Sequence, residues 1–322
     1  MVSQSRAFSF DSFLSYIGRA SALRLAVAVI CMLGFIFFEG EAVITLCRAF
    51  GYPVSHSNGL LYSASDIYFS AITPSASGGQ PACAFFMIKD GIPGSVAAVA
   101  LIANLTMYTI SILVIGCLNL LMHPDIFMAF EPLSKVLIII GYVTQSSLTV
   151  FFLLLLLKNN MFHGICRKTL HFLCKIKILR HEAEKQQNLK KYMDEYAQCA
   201  YLIKDHNKAM IKVFILNLCQ RLSIISVPLF VFLAAGGELS KAVSIWAIQC
   251  FAVIGSNAIP IPGAMGVSDY IMLDGFNNMM LLHNAVNFEL LSRSLSFYIC
   301  VILCGITTLA KYLTYKKQEK KR

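Results

Sequence analysis

The chain has 322 residues, of which 57% are hydrophobic and only 14% charged, with a formal net charge of +10 and a mean hydropathy of +0.67. Soluble domains carry about 25% charged residues, so this composition excludes an ordinary soluble fold and specifies an all-α, polytopic membrane protein. The positive charge gathers in one central segment and at the C-terminus. That places it in loops on one side of a membrane and argues against a nucleic-acid groove.

In chain order, residues 1–22 mix Arg6, Asp11 and Arg19 with scattered Phe, and no cleavage site follows a short apolar core, so they do not read as a cleaved signal peptide. Phe8 to Ile17 predicts a short interfacial helix. A first membrane half follows over 23–157. Its clear spans lie near 23–47, 95–121 and 134–157, with a weaker one over about 60–82. A basic connector, 158–212, carries twelve Lys and Arg against five acidic residues and has no Pro or Gly after Cys166, which predicts a largely helical cytoplasmic segment. A second half, 213–313, holds clear spans near 213–235 and 290–313 and weaker ones over 243–259 and 264–282. The tail 314–322 is basic, and from Lys311 onward six Lys and Arg face one acid. About eight crossings, within a range of six to eight, with both termini cytoplasmic satisfy every loop.

The weak spans are those that meet two interruptions. One is Thr73-Pro74-Ser75-Ala76-Ser77-Gly78-Gly79-Gln80-Pro81, and the other is Ile259-Pro260-Ile261-Pro262-Gly263-Ala264-Met265-Gly266. Proline removes a donor and glycine favours non-helical backbone, so each should break a helix. Broken backbone at membrane depth needs protein or a wet cavity around it, and one such break in each half points to a transport or lipid-handling site. Whether each broken segment crosses or doubles back is left open.

Charged residues in the spans are the other candidates, because each costs about 2.5–3.5 kcal/mol at the bilayer centre. Glu39 and Glu41, read as lying in the outer half of the first span, sit about 200° apart on a helix and cannot both face one narrow cavity. Asp66 shares a face with Ser63 and Ser70, a polar stripe leading into the first break. Arg221, beside Asn217 and Gln220, suits a wetted face, with snorkelling as the alternative. Asp269 falls in the first turn after the second break, where a carboxylate also favours the helix dipole. Arg293 opens the last span and suits either pairing with Asp269 or binding a phosphodiester. The eleven cysteines form no C-x-x-C pair and read as small packing groups. No catalytic constellation, metal ligand set or cofactor motif emerges.

Taken in order, the first break, the Pro260–Gly266 break with an acid three places on, and Arg293 with Tyr298 resemble the transmembrane region of lysylphosphatidylglycerol synthases, the multiple peptide resistance factor family. The resemblance covers nearly all of the chain. It implies movement of aminoacylated phosphatidylglycerol to the outer leaflet of a bacterial plasma membrane and resistance to cationic peptides. The implied substrate contacts are Asp66, Thr73, Pro74, Gly78, Gly79, Gln80, Arg221, Pro262, Gly263, Gly266, Asp269 and Arg293. Full-length relatives add a cytoplasmic acyltransferase part that uses aminoacyl-tRNA, which is expected to be missing here. The alternative is therefore a phosphatidylglycerol lysyltransferase, or its membrane subunit acting with a separate acyltransferase. The expected partners are phospholipid and bilayer, with that acyltransferase and a second copy of the chain left open. Two departures stand out: Asp269 replaces a glutamate, and Ala264 replaces the second glycine. Relatives commonly begin with a further apolar span, so that span is expected to be absent here or the start to be internal.

Overall fold

A computed structural model describes residues 10–157, 164, 168, 206–257, 259, 261, 263, 266–277, 279, 280 and 282–319. Apart from positions 164, 168 and 206–212, the predicted helical connector lies outside these residues, as does Pro262. Among the described residues every regular element is helical, and six helices are long and apolar enough to cross a membrane. The all-α polytopic class is as expected, at the low end of the range.

The chain opens with α1 (Phe10–Arg19), which lays Phe13, Tyr16 and Ile17 against the core, one face of a short amphipathic helix. It continues as α2 (Ala22–Ala49), α3 (His56–Ile72), a 3₁₀ turn (Pro74–Ala76), α4 (Gly79–Lys89), α5 (Gly94–Met122), α6 (Pro124–Ala129) and α7 (Pro132–Leu157). Beyond the connector come α8 (Asn207–Ala234), α9 (Leu239–Asn257), α10 (Val267–Asn277) and α11 (Leu282–Arg293). A π-helical turn (Ser294–Ile299) then joins α11 to α12 (Cys300–Glu319) in one long span.

Contacts fix the direction of each element. The start of α2 meets the end of α8, where Ala234 O accepts the Ser21 amide at 2.8 Å and Leu233 O accepts Arg24. Cys47 near the other end of α2 shares a cluster with Val213 at the start of α8. The two helices are therefore antiparallel. Val96 and Leu156 belong to that same cluster, so the start of α5 and the end of α7 lie at this basic end too.

Both interrupted segments double back. On α3, Ser63 donates to Ile36 O at 2.7 Å as the helix climbs away from the basic end. The chain turns at Thr73, and α4 returns: Gln80 reaches Asp66 at 3.1 Å, and Asp90 accepts the Tyr62 phenol at 2.6 Å. The second hairpin enters from the opposite end. Gly255 of α9 lies against Ile271, Gly275 lies against Ile248, and Asp274 accepts the Glu131 amide at 3.0 Å at the end of α10. Close approach needs bare backbone. A Cβ on Gly40 would stand 2.6 Å from Gly59 O, and one on Gly141 only 2.2 Å from Ile254 O, as small-residue helix contacts require.

Described residues towards the two ends of the chain have different surroundings: Ser21, just after α1, bonds Ala234 O at the end of α8, whereas Tyr315 of α12 bonds Asp90 at the basic end. Glu39 and Glu41 sit in the half of α2 nearer the basic end.

Candidate functional site

The first hairpin turns on Thr73. Its hydroxyl donates to Phe69 O at 2.6 Å, ending α3, and accepts the Gly78 amide at 2.9 Å, starting the return. Pro74 heads the 3₁₀ turn, where its missing N–H is no loss. The glycines do not take the non-helical backbone that their type allows: Gly78 has φ −84°, ψ −19° and Gly79 begins α4. The strained residue is Ala76, with φ +54°, a left-handed conformation that is uncommon outside glycine. Gly79 is needed for space. A Cβ there would fall 2.0 Å from both Asp66 Oδ1 and Ser70 Oγ. The second break behaves as its composition implies, with positive φ at Gly263 (+63°) and Gly266 (+82°).

Around the first hairpin lies a buried polar network. Glu39, 5% exposed, accepts from Asn104 at 2.9 Å and from Gln220. Asn217 donates to Asn104 Oδ1 at 3.0 Å, and Gln220 Oε1 accepts Arg221 Nε at 2.8 Å. The Arg221 guanidinium lies 4.1 Å over the Tyr108 ring and 5.4 Å from that of Phe35. With 8% exposure in mid-helix, Arg221 does not snorkel. Asp66 accepts from Gln80 and, at 3.3 Å, from Ser70, whereas Ser63 turns to the α2 backbone. Glu41 instead meets His56 at the helix end, consistent with the angle between the two glutamates.

Removing a donor from a buried carboxylate leaves it short of a partner, at a cost of about 1–3 kcal/mol or more for a charged group. Asn104→Leu is therefore expected to lower thermal stability in detergent by about that amount. Pairing it with Glu39→Leu should recover part of the loss, because the orphaned charge goes too. Strict additivity of the two changes would mean that the pair is not coupled.

At the second break Asp269 does both things that its position allows. Its Oδ2 accepts the Gly266 amide at 3.0 Å, the reciprocal arm of a capping box. Its Oδ1 holds Arg293 Nε at 2.8 Å. Arg293 Nη2 reaches Gly263 O at 3.5 Å, and the guanidinium covers the Phe297 ring at 5.2 Å. Glu289, one turn earlier on α11, stands 4.0 Å from the same nitrogen. The last clear span read from the sequence begins near 290, which leaves Glu289 just outside it. Its position four residues before Arg293 on a helix was the available signal.

The last span touches both hairpins. Phe297 packs on Gly263, and Tyr68 packs on Gly305, about 12 Å further along the axis. Between them lies the π-helical turn, a feature frequent at functional sites. Two carboxylates and one arginine thus stand beside each hairpin: Glu39, Asp66 and Arg221 in one group, with Arg221 supplied by α8 of the second half, and Asp269, Glu289 and Arg293 in the other. The fold defines a polytopic membrane protein with two broken helices entering from opposite ends and charged groups held beside each.

Sequence comparison gives that class its family. The profile described as the lysylphosphatidylglycerol synthase TM region matches residues 2–304, and the chain belongs to that family. No curated protein matches the chain, and no solved structure matches it.

Proposed function

We propose that the protein carries phospholipid between the leaflets of a bacterial plasma membrane, with aminoacylated phosphatidylglycerol as the cargo, and so contributes to resistance to cationic peptides. The observation that supports this reading is the pair of opposed hairpins, each with an arginine of a neighbouring helix and carboxylates beside it inside the bundle. Arg221 is the better candidate for the phosphodiester, because its Nε bonds neutral Gln220, whereas Arg293 is ion-paired to Asp269. Asp66 or Asp269 would receive the cationic headgroup. Thr73, Pro74, Gly78, Gly79 and Gln80 of one turn, with Pro262, Gly263 and Gly266 of the other, would shape the path. The basic end, flanking the connector, would face the cytoplasm, which puts α1 on the outer side. The halves 23–157 and 213–313 would act as the two moving parts.

The test is reconstitution of the purified chain in vesicles holding labelled aminoacylated phosphatidylglycerol on one leaflet. Faster appearance on the other leaflet than in protein-free vesicles is expected, and equal rates would sink the reading. The family's own description favours a second reading, a phosphatidylglycerol lysyltransferase or its membrane subunit working with a separate acyltransferase. Lysyl-lipid formed when this chain alone is expressed in a non-producing host would select it.

A further inference from the structure

Glu39 is buried beside the first hairpin, and no cation bonds it among the described residues. Both its oxygens accept from neutral amides, Oε1 from Asn104 Nδ2 and Oε2 from Gln220 Nε2. Two chains of donors run into it. Asn217 Nδ2 donates to Asn104 Oδ1, and Arg221 Nε donates to Gln220 Oε1. Arg221 makes no other hydrogen bond among the described residues, so its two Nη groups are open. The Asn104 chain ends on Asn217 Oδ1, an acceptor that is fully buried and has no donor. The charged and titratable groups acting on Glu39 are Arg221 of α8, Asp66 of α3 and Cys83 of α4. Tyr108 of α5 lies under the Arg221 guanidinium. Tyr298 of the π-helical turn is exposed, and Glu41 of α2 itself meets His56. Two carboxylates therefore share one cation at a depth where unbalanced charge is costly.

We propose that Glu39 is a proton-binding site whose charge state decides whether Arg221 is free to hold a phosphodiester. This rests on the lipid-carrying reading above and adds a proton to its cycle. An ionised carboxylate only accepts, and both amides are turned to donate to it. A proton taken from water forms an O–H on Glu39 Oε2, which must donate. Gln220 then turns its Oε1 to that O–H, which brings its Nε2 to face Arg221 Nε. Two donors cannot bond each other, so the guanidinium leaves Gln220 with all its N–H groups open. The negative charge beside it has gone as well. Return of the proton to water reverses each step. A proton on Oε1 instead would turn Asn104 and Asn217 together, and Asn217 Oδ1 would gain the donor that it lacks. A metal ion fits less well, because N–H groups already cap both carboxylate oxygens and Asn217 Oδ1 is the one unbonded oxygen of these side chains. By linkage, phosphodiester and proton each favour binding of the other.

The test measures binding of fluorescent phosphatidylglycerol to the full chain in detergent from about pH 5 to pH 9. An indicator dye in weak buffer follows proton uptake. This lipid stays ionised throughout and has no amine to titrate. Its affinity is expected to fall about tenfold as the pH rises, as loss of one charge-assisted hydrogen bond would give. Up to about one proton should be taken up per lipid bound. Glu39→Gln places an N–H where the acid has its O–H. It should bind at every pH as tightly as the unmodified protein does at low pH, without uptake. Glu238→Gln, at an exposed carboxylate paired with Lys241, should keep both the pH dependence and the uptake. Affinity independent of pH with no uptake in the unmodified protein overturns the inference, and that measurement needs no variant to fold. Uptake that survives Glu39→Gln and disappears in Asp66→Asn overturns it, and so does binding that follows sodium concentration and not pH. Leaflet transfer without proton uptake would remove the proton site and keep the carrier reading, and uptake without transfer would do the reverse.

Discussion

Arg293→Ala is expected to abolish delivery of lipid to the outer leaflet while the protein still inserts. The Arg293 side chain is 13% exposed, and its Nε stands 2.8 Å from Asp269 with Glu289 beside it. Deleting it leaves two carboxylates facing each other with no protein cation bonded to either. Removing one partner from a buried ion pair costs about 3–5 kcal/mol, and the Gly263 carbonyl and the Phe297 ring lose a contact too. Thermal unfolding in detergent should show the loss. Arg293→Lys should restore part of the stability, since a point charge can satisfy Asp269 but cannot also fork to the Gly263 carbonyl. Combining Arg293→Ala with Asp269→Asn separates stability from function. The asparagine can still accept the Gly266 amide and removes one unpaired charge, so stability should rise while lipid delivery stays lost. Delivery at wild-type rates in Arg293→Ala, measured in reconstituted vesicles, would remove Arg293 from the site.

The positions of the two interruptions were legible in the sequence because Pro and Gly act locally. The pairing of Asp269 with Arg293 was one of two alternatives that sequence left open, and the two side chains lie 2.8 Å apart. Whether the broken segments cross or double back was not legible, because composition alone does not distinguish one span over 60–82 from the two limbs α3 and α4, which return to the same end. The partners of Glu39 lay beyond any local pattern, because Asn104 and Gln220 are 65 and 181 residues away. Glycine type misled at Gly78 and Gly79. Both were read as a source of unusual backbone, whereas the positive φ falls on Ala76 and Gly79 supplies room.

That room leads to the second large effect. Gly79→Ala is expected to disable the first hairpin although alanine is the better helix former. The added Cβ would meet Asp66 Oδ1 and Ser70 Oγ at 2.0 Å and, less avoidably, the Asp66 backbone oxygen at 2.7 Å. Side-chain ends can turn aside, but a carbonyl cannot, so α3 and α4 must separate and the Gln80 bond to Asp66 opens. Overpacking of this kind costs about 1–3 kcal/mol. Gly91→Ala is the matched control. Gly91 has φ +88° and open space around its Cβ position, so it incurs backbone strain of about 1–2 kcal/mol without disturbing the turn. The two variants should therefore lose comparable stability and differ in transport. Gly79→Ala should slow leaflet transfer by about tenfold, the kinetic equivalent of about 1.4 kcal/mol, whereas Gly91→Ala should stay near wild type. If both variants transfer lipid equally well, the tight contact between Asp66 and the start of α4 serves folding alone, and the path for the headgroup lies elsewhere in the bundle.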